Sequence, residues 1–245
     1  MTYLRALQGW VSFDRGYRLQ ALGMLEQAIE RDPHYGPALA LAARCHGMLV
    51  ANGSADDVQI HRREGIDLAR RALQAAPEDP EVLAACGQVL GALGEDIDAA
   101  ISLVDRSLAL NPSSARGWFS SGLLRVFAGR PDLAIEHFET YRRLDPREHH
   151  PDLTGIGSAL FLSRRFDEAA GKLRQSLERA PGFVVTYRYL ASCYAHMGRL
   201  EEARDIVERL RRLTPLVVPS VVPFRNPEHR ELFLSGLRLA AGAES

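Results

Sequence analysis

The 245-residue chain carries 30 basic and 31 acidic side chains for a formal charge of −1, with 46% hydrophobic and 25% charged residues. That composition provides a large core and excludes intrinsic disorder, and its near-neutral charge removes the bulk electrostatic case for a dedicated nucleic-acid or anionic-membrane binder. Three cysteines, Cys45, Cys86 and Cys193, are too few and too odd in number for a disulfide framework and point to a reducing, cytoplasmic setting. Arg44 and His46 interrupt the most apolar stretch, Leu39 to Val50, so no membrane span is expected, and the opening MTYLRALQGW has no export pattern.

In chain order, helical stretches close at Pro33, Pro77, Pro112, Pro146, Pro181 and Pro215, at intervals of 44, 35, 34, 35 and 34 residues. Twelve residues before each proline stands a small residue (Ala21, Gly65, Ala100, Ala134, Ala169, Ala203), and eight before stands Leu25, Ala69, Val104, Phe138, Leu173 or Val207. This spacing marks one buried face of a helix. A second small column, Gly9, Ala43, Gly87, Gly122, Gly157 and Ala191, lies upstream and allows a partner helix to approach closely. The periods predict six helix pairs over residues 1–35, 36–78, 79–112, 113–146, 147–181 and 182–215.

The second repeat is ten residues too long, and the excess falls between its helices, where Asn52-Gly53 ends one and Ser54 or Asp56 can cap the next. A long helix over about Asp56 to Gln74, projecting beyond its neighbours, is expected. After Pro215, the run Leu216-Val-Val-Pro-Ser-Val-Val-Pro223 forbids a continuous helix. Asn226-Pro227-Glu228 then reads as an N-cap with proline at the first helical position, followed by an apolar stripe of Leu232, Phe233, Gly236, Leu237 and Ala240. Residues 216–245 are therefore expected to form a proline-rich connector and a helix that caps the last repeat, with self-association through that helix as the alternative.

These columns resemble the tetratricopeptide repeat, a 34-residue helix–turn–helix unit with W-x2-L-G-x2-Y, A-x3-F and P signatures. The fourth copy matches at Trp118, Gly122, Ala134, Phe138 and Pro146, and the sixth at Tyr187, Leu190, Ala191, Tyr194, Ala203 and Pro215. The resemblance implies an all-α fold, a right-handed superhelix of about six helix pairs with a C-terminal capping helix. A narrower likeness rests on Asp67-Leu-Ala-Arg-Arg-Ala-Leu73, on Ala191-Ser-Cys-Tyr-Ala-His-Met-Gly-Arg-Leu-Glu-Glu-Ala-Arg204, and on Val222-Pro-Phe-Arg-Asn-Pro-Glu-His229 leading into Phe233-Leu-Ser-Gly-Leu237. It resembles the C-terminal repeat region of bacterial class III adenylate/guanylate cyclases, and departs from it between Leu216 and Val222, where a Val/Pro run replaces a charged helical turn. That likeness implies a regulatory scaffold whose partner is an attached or separate cyclase domain. The alternative is the repeat region of a winged-helix transcription regulator.

The chain shows no G-x-S-x-G, P-loop, dinucleotide, H-E-x-x-H or C-x-x-C motif, so it is read as non-catalytic and needing no cofactor or metal. The rival is a metal-dependent enzyme built on His149, His150 and Asp152, but adjacent histidines on a turn point apart and do not converge on an ion. Cys45-His46 is read as one buried and one exposed neighbour on a helix, and the pairs Asp56-Asp57 and Glu201-Glu202 as helix-start carboxylates. By helical register the first helices present Trp10, Arg44, Gln88, Leu123, Ser158 and Ser192 to a concave surface, joined by Phe119 and Arg188 one turn earlier. A protein or peptide segment is the expected ligand there.

Overall fold

The structure, a computed structural model, describes residues 15–146 and 151–242. Those residues form twelve α-helices and no strand: α1 (Arg15–Arg31), α2 (Gly36–Ala51), α3 (Val58–Ala75), α4 (Pro80–Ala92), α5 (Ile97–Leu110), α6 (Ala115–Phe127), α7 (Pro131–Leu144), α8 (Pro151–Leu162), α9 (Phe166–Arg179), α10 (Val184–His196), α11 (Leu200–Arg211) and α12 (Pro227–Ala241). From α2 to α11 they alternate as first and second helices of successive repeats. The chain divides into two compact units, residues 1–121 and 122–245, with the boundary inside α6.

The periodic columns are the interior of each unit. Leu25, Ala69 and Val104 in the first, and Phe138, Leu173 and Val207 in the second, are buried, as are the small residues four positions earlier. Each described glycine of the first-helix column receives the large residue of its partner helix. A Cβ at Gly87 would lie 2.8 Å from Val104 Cγ2, one at Gly122 2.9 Å from the Phe138 ring, and one at Gly157 2.7 Å from Leu173. Real carbon contacts are longer, so glycine at these points sets the distance between the paired helices.

First and second helices join through a left-handed residue at a regular place: Gly53, Gly94, Gly129, Arg164 and Gly198, with φ of 65°, 84°, 76°, 58° and 74°. The residue after each donates its N–H to a carbonyl five positions back, as Glu95 does to Leu90 and Arg165 to Leu160 (both 3.0 Å). This closes the helix end, and glycine adopts the required φ without a Cβ clash. Side chains cap the following helices: Asp57, Asp79 and Asp96 accept from two backbone N–H groups each, and Asn226 accepts from Glu228. At the proline turns, Trp118 Nε1 donates to the Pro112 carbonyl (2.8 Å) and Tyr187 Oη to the Pro181 carbonyl (2.9 Å). The two aromatics occupy the same place in repeats four and six and anchor equivalent turns.

In the longer second repeat both helices grow. α2 has 16 residues and α3 has 18, against 13 and 14 in α4 and α5. The cap is Asp57, one residue beyond the pair anticipated. The extra turns pack on each other and on α4, with Arg62 Nε donating to the Leu93 carbonyl at 2.6 Å, so α3 does not project alone. This packing buries His46, contrary to the expectation of an exposed ring, and sets its Nδ1 2.8 Å from His61 Nδ1. Burial, aided by the charge of His61, pulls the His46 pKa down to about 4.

In the second unit, α12 packs against α10 and α11. Leu232, Phe233, Gly236, Leu237 and Ala240 are all buried. A Cβ at Gly236 would sit 2.8 Å from His196 Nε2 and 2.9 Å from Ser192 Cβ, which measures how closely α12 approaches α10. The connector before it follows an irregular path bonded to α10 at Arg188 and to the end of α6 at Phe127.

Candidate functional site

The surface built by the first helices differs between the units. In the first unit it is formed by α2, α4 and the opening turns of α6. Arg44, Gln88 and Phe119 are each partly exposed there, above buried Ala40 and Ala84. Gln88 Oε1 accepts from Ser120 Oγ at 3.1 Å, which ties α4 to α6. Nearby, Ser114 Oγ (2.7 Å) and Arg116 Nε (2.9 Å) both donate to the Glu81 carboxylate. The Arg44 charge acts on the Cys45 and Cys86 thiols and opposes the burial that pushes them up to about 11 and 12. Trp10 lies outside the described residues.

In the second unit the equivalent surface is not open. Arg188 and Ser192 face it as the register predicts, but both are buried beneath the chain's own C-terminal segment. Arg188 donates from Nη2 to the Leu216 carbonyl (2.7 Å) and from Nε to the Val217 carbonyl (3.1 Å). Burial lowers its guanidinium to a pKa of about 10. Ser192 Oγ donates to the Phe233 carbonyl (3.1 Å), and His196 Nε2 lies 2.7 Å from the Leu232 carbonyl. Ser158, also buried, donates to the Gly155 carbonyl (2.7 Å) within its own helix. Leu123 is half-buried. Phe224 and Phe233 of the segment form a ring cluster with Phe161 and Tyr189, with paired centroids 4.8–6.3 Å apart. The sequence reading set Arg188 and Ser192 on this face and put Phe233 in the capping stripe, but it did not pair Arg188 with the Leu216 and Val217 carbonyls.

Asp152 is buried in the first turn of α8 and bonded to Arg142 (Nε–Oδ2 2.9 Å), while His149 and His150 lie outside the described residues. Among the described residues no three His, Cys, Asp or Glu converge on a common point. Cys45, Cys86 and Cys193 are free and buried, and burial raises all three thiols. Glu202 and Glu201 pair with Arg199 and Arg204 at the start of α11. No helix among the described residues is long and apolar enough to cross a membrane.

Comparison with known proteins identifies the repeats. Two tetratricopeptide repeat family models match residues 87–149 and 160–216. No curated protein matches the sequence. Among solved structures, human IFIT1 with m7Gppp-AAAA is similar at 17% identity and a TM-score of 0.69 over 86% of this chain and 50% of that one. The APC/C hetero-tetramer Cut9-Hcn1 is similar at 17% identity and a TM-score of 0.63 over 91% of this chain and 40% of that one. A thermophilic repeat protein of Thermus thermophilus matches at 19% identity and a TM-score of 0.58, over 78% of this chain and 96% of that one. The chain thus spans half or less of the IFIT1 and Cut9-Hcn1 chains. At these identities the likeness is one of fold: an all-helical tetratricopeptide repeat solenoid.

Proposed function

We propose that the protein is a non-catalytic interaction module, and that a protein segment binds the first-helix face of its first unit. One observation carries this reading. Arg44, Gln88 and Phe119 all stay partly exposed there, whereas in the second unit only Leu123 does and Ser158, Arg188 and Ser192 are buried. Helical repeats generate extended ligand surfaces from such positions. Phe119 offers an aromatic anchor, Gln88 an amide for a peptide backbone, and Arg44 a cation for a carbonyl or carboxylate. The cyclase-like sequence features support a cytoplasmic role in bacterial signalling, with an attached or separate cyclase domain as the regulated partner. A place in a transcription regulator is the alternative, and domains encoded in the same reading frame decide between the two. The m7Gppp-AAAA held by IFIT1 is not carried over, because a formal charge of −1 offers no general attraction for RNA.

The test is affinity capture from the native organism with wild-type, Phe119→Ala and Arg44→Ala protein, with an RNA oligonucleotide as a comparison ligand. Loss of an anchor should weaken a partner by about 2 kcal/mol, roughly thirtyfold. A partner retained equally by all three proteins, or RNA bound more tightly than any protein, would overturn the assignment.

A further inference from the structure

The surface over α8 and α10 has the chemistry of a peptide site, and the chain itself fills it. Residues 214–226 form neither helix nor strand. The stretch Leu216 to Phe224 carries no charge, contains Pro219 and Pro223, which lack N–H groups, and runs as an irregular chain with bends at residues 217, 218 and 220. The surface reads this stretch through its backbone. The buried Arg188 guanidinium bonds the carbonyls of Leu216 and Val217 (2.7 and 3.1 Å), and at the other end the Arg225 N–H donates to the Phe127 carbonyl (2.9 Å). Between those clamps Val222 and Phe224 are buried, and the Phe224 ring meets Phe127 and Phe233 edge-on at 6.3 and 5.8 Å. Main-chain clamps at both ends of an uncharged apolar segment, with an aromatic anchor between them, are how a groove holds a peptide ligand.

We propose that this face of the second unit is a peptide-binding groove kept closed by the chain's own residues 216–233, and that its external ligand is a partner segment of the same chemistry: non-helical, uncharged, Val/Pro-rich, with one aromatic anchor. Such a partner displaces the connector and frees α12. Because the internal ligand is tethered, its effective concentration is high, and only a partner that binds more tightly or is locally concentrated opens the groove. This inference goes beyond the first-unit reading and does not depend on it.

The test uses the full chain with a protease site inserted in the exposed turn Arg211–Leu213. After cleavage the tail should remain bound through gel filtration at micromolar concentration, and a labelled synthetic peptide of residues 214–242 should exchange into its place. Arg188→Met should speed tail release at least tenfold, since it removes two charge-assisted hydrogen bonds. A peptide with Asp at Val217, Val218, Val221 and Val222 should not exchange, and Gln175→Ala, at an exposed position of α9, should leave exchange unchanged. The proposal is overturned if the tail falls away from the cleaved chain while helicity persists, or if release unfolds the second unit. It is overturned equally if the tail never exchanges against excess peptide. A chain that instead dimerises on concentration by trading tails would assign the groove to a second copy and overturn the partner reading.

Discussion

The Phe138 ring is held between two glycines, and that arrangement makes Gly155→Ala a sharp test of the packing. A Cβ at Gly155 would stand 2.4, 2.6 and 2.7 Å from Phe138 Cζ, Cε1 and Cε2, and one at Gly122 2.9 Å from Cε1. The ring therefore cannot retreat from α8 without meeting α6. Ordinary helix propensity favours Ala over Gly by about 1 kcal/mol, while overpacking of a filled core costs about 1–3 kcal/mol. The clash should win, and Gly155→Ala should destabilise the protein by about 2 kcal/mol. Gly171, inside α9, provides the control, because a methyl group there would have no neighbour within 4 Å: Gly171→Ala should stabilise by about 0.5–1 kcal/mol. In a Phe138→Leu background the obstacle is gone, so Gly155→Ala should lose its penalty and show a coupling of about 2 kcal/mol. Urea unfolding followed by circular dichroism measures all of these. A Gly155→Ala protein as stable as wild type, or an effect of equal size in both backgrounds, would refute the account of the helix contact.

Arg164 holds a φ of 58° where the four corresponding turns use glycine. Arg164→Gly should be more stable than Arg164→Ala by about 1 kcal/mol in the same urea assay, because only the alanine retains the left-handed strain. His46 has a folded pKa of about 4, against an ordinary value of 6.5, so the folded state binds fewer protons than the unfolded one. Its stabilisation is complete above that ordinary value and is lost as the pH falls towards 4, with about 2 kcal/mol gone by about pH 5. His229 is shifted in the same direction by burial. A His46→Leu variant whose melting temperature falls as steeply as that of wild type between pH 6.5 and 5 would refute the assignment. The raised Cys45, Cys86 and Cys193 thiols should alkylate slowly in the native protein and rapidly in urea, as mass spectrometry would show.

Much of the interior was legible because a helix repeats its contacts with its own sequence period. Leu25, Val104, Phe138 and Leu173 recur at fixed offsets, and each is wholly buried. The lengthened repeat was visible as a count of residues, but a count does not say which helix receives them. Here both helices do, and their added turns bury His46 against His61. Helical register likewise put Arg188 and Ser192 on the first-helix face but is silent on what lies above it. The covering groups, Val217 and Phe233, come 29 and 41 residues later in the chain, with no periodicity to tie them to their sites.

The Val/Pro run shows why that silence falls at the candidate site in particular. A charged helical turn at Leu216 to Val222 would have satisfied its own backbone and presented charge to solvent. The run found here instead forgoes helical hydrogen bonds and offers two carbonyls to Arg188. A buried guanidinium without acceptors would carry a penalty of several kcal/mol, so Arg188 and the irregular connector each require the other. The irregular connector and the burial of Arg188 are one feature. The first unit, whose Arg44, Gln88 and Phe119 remain partly exposed, supplies the open surface on which the proposed interaction rests.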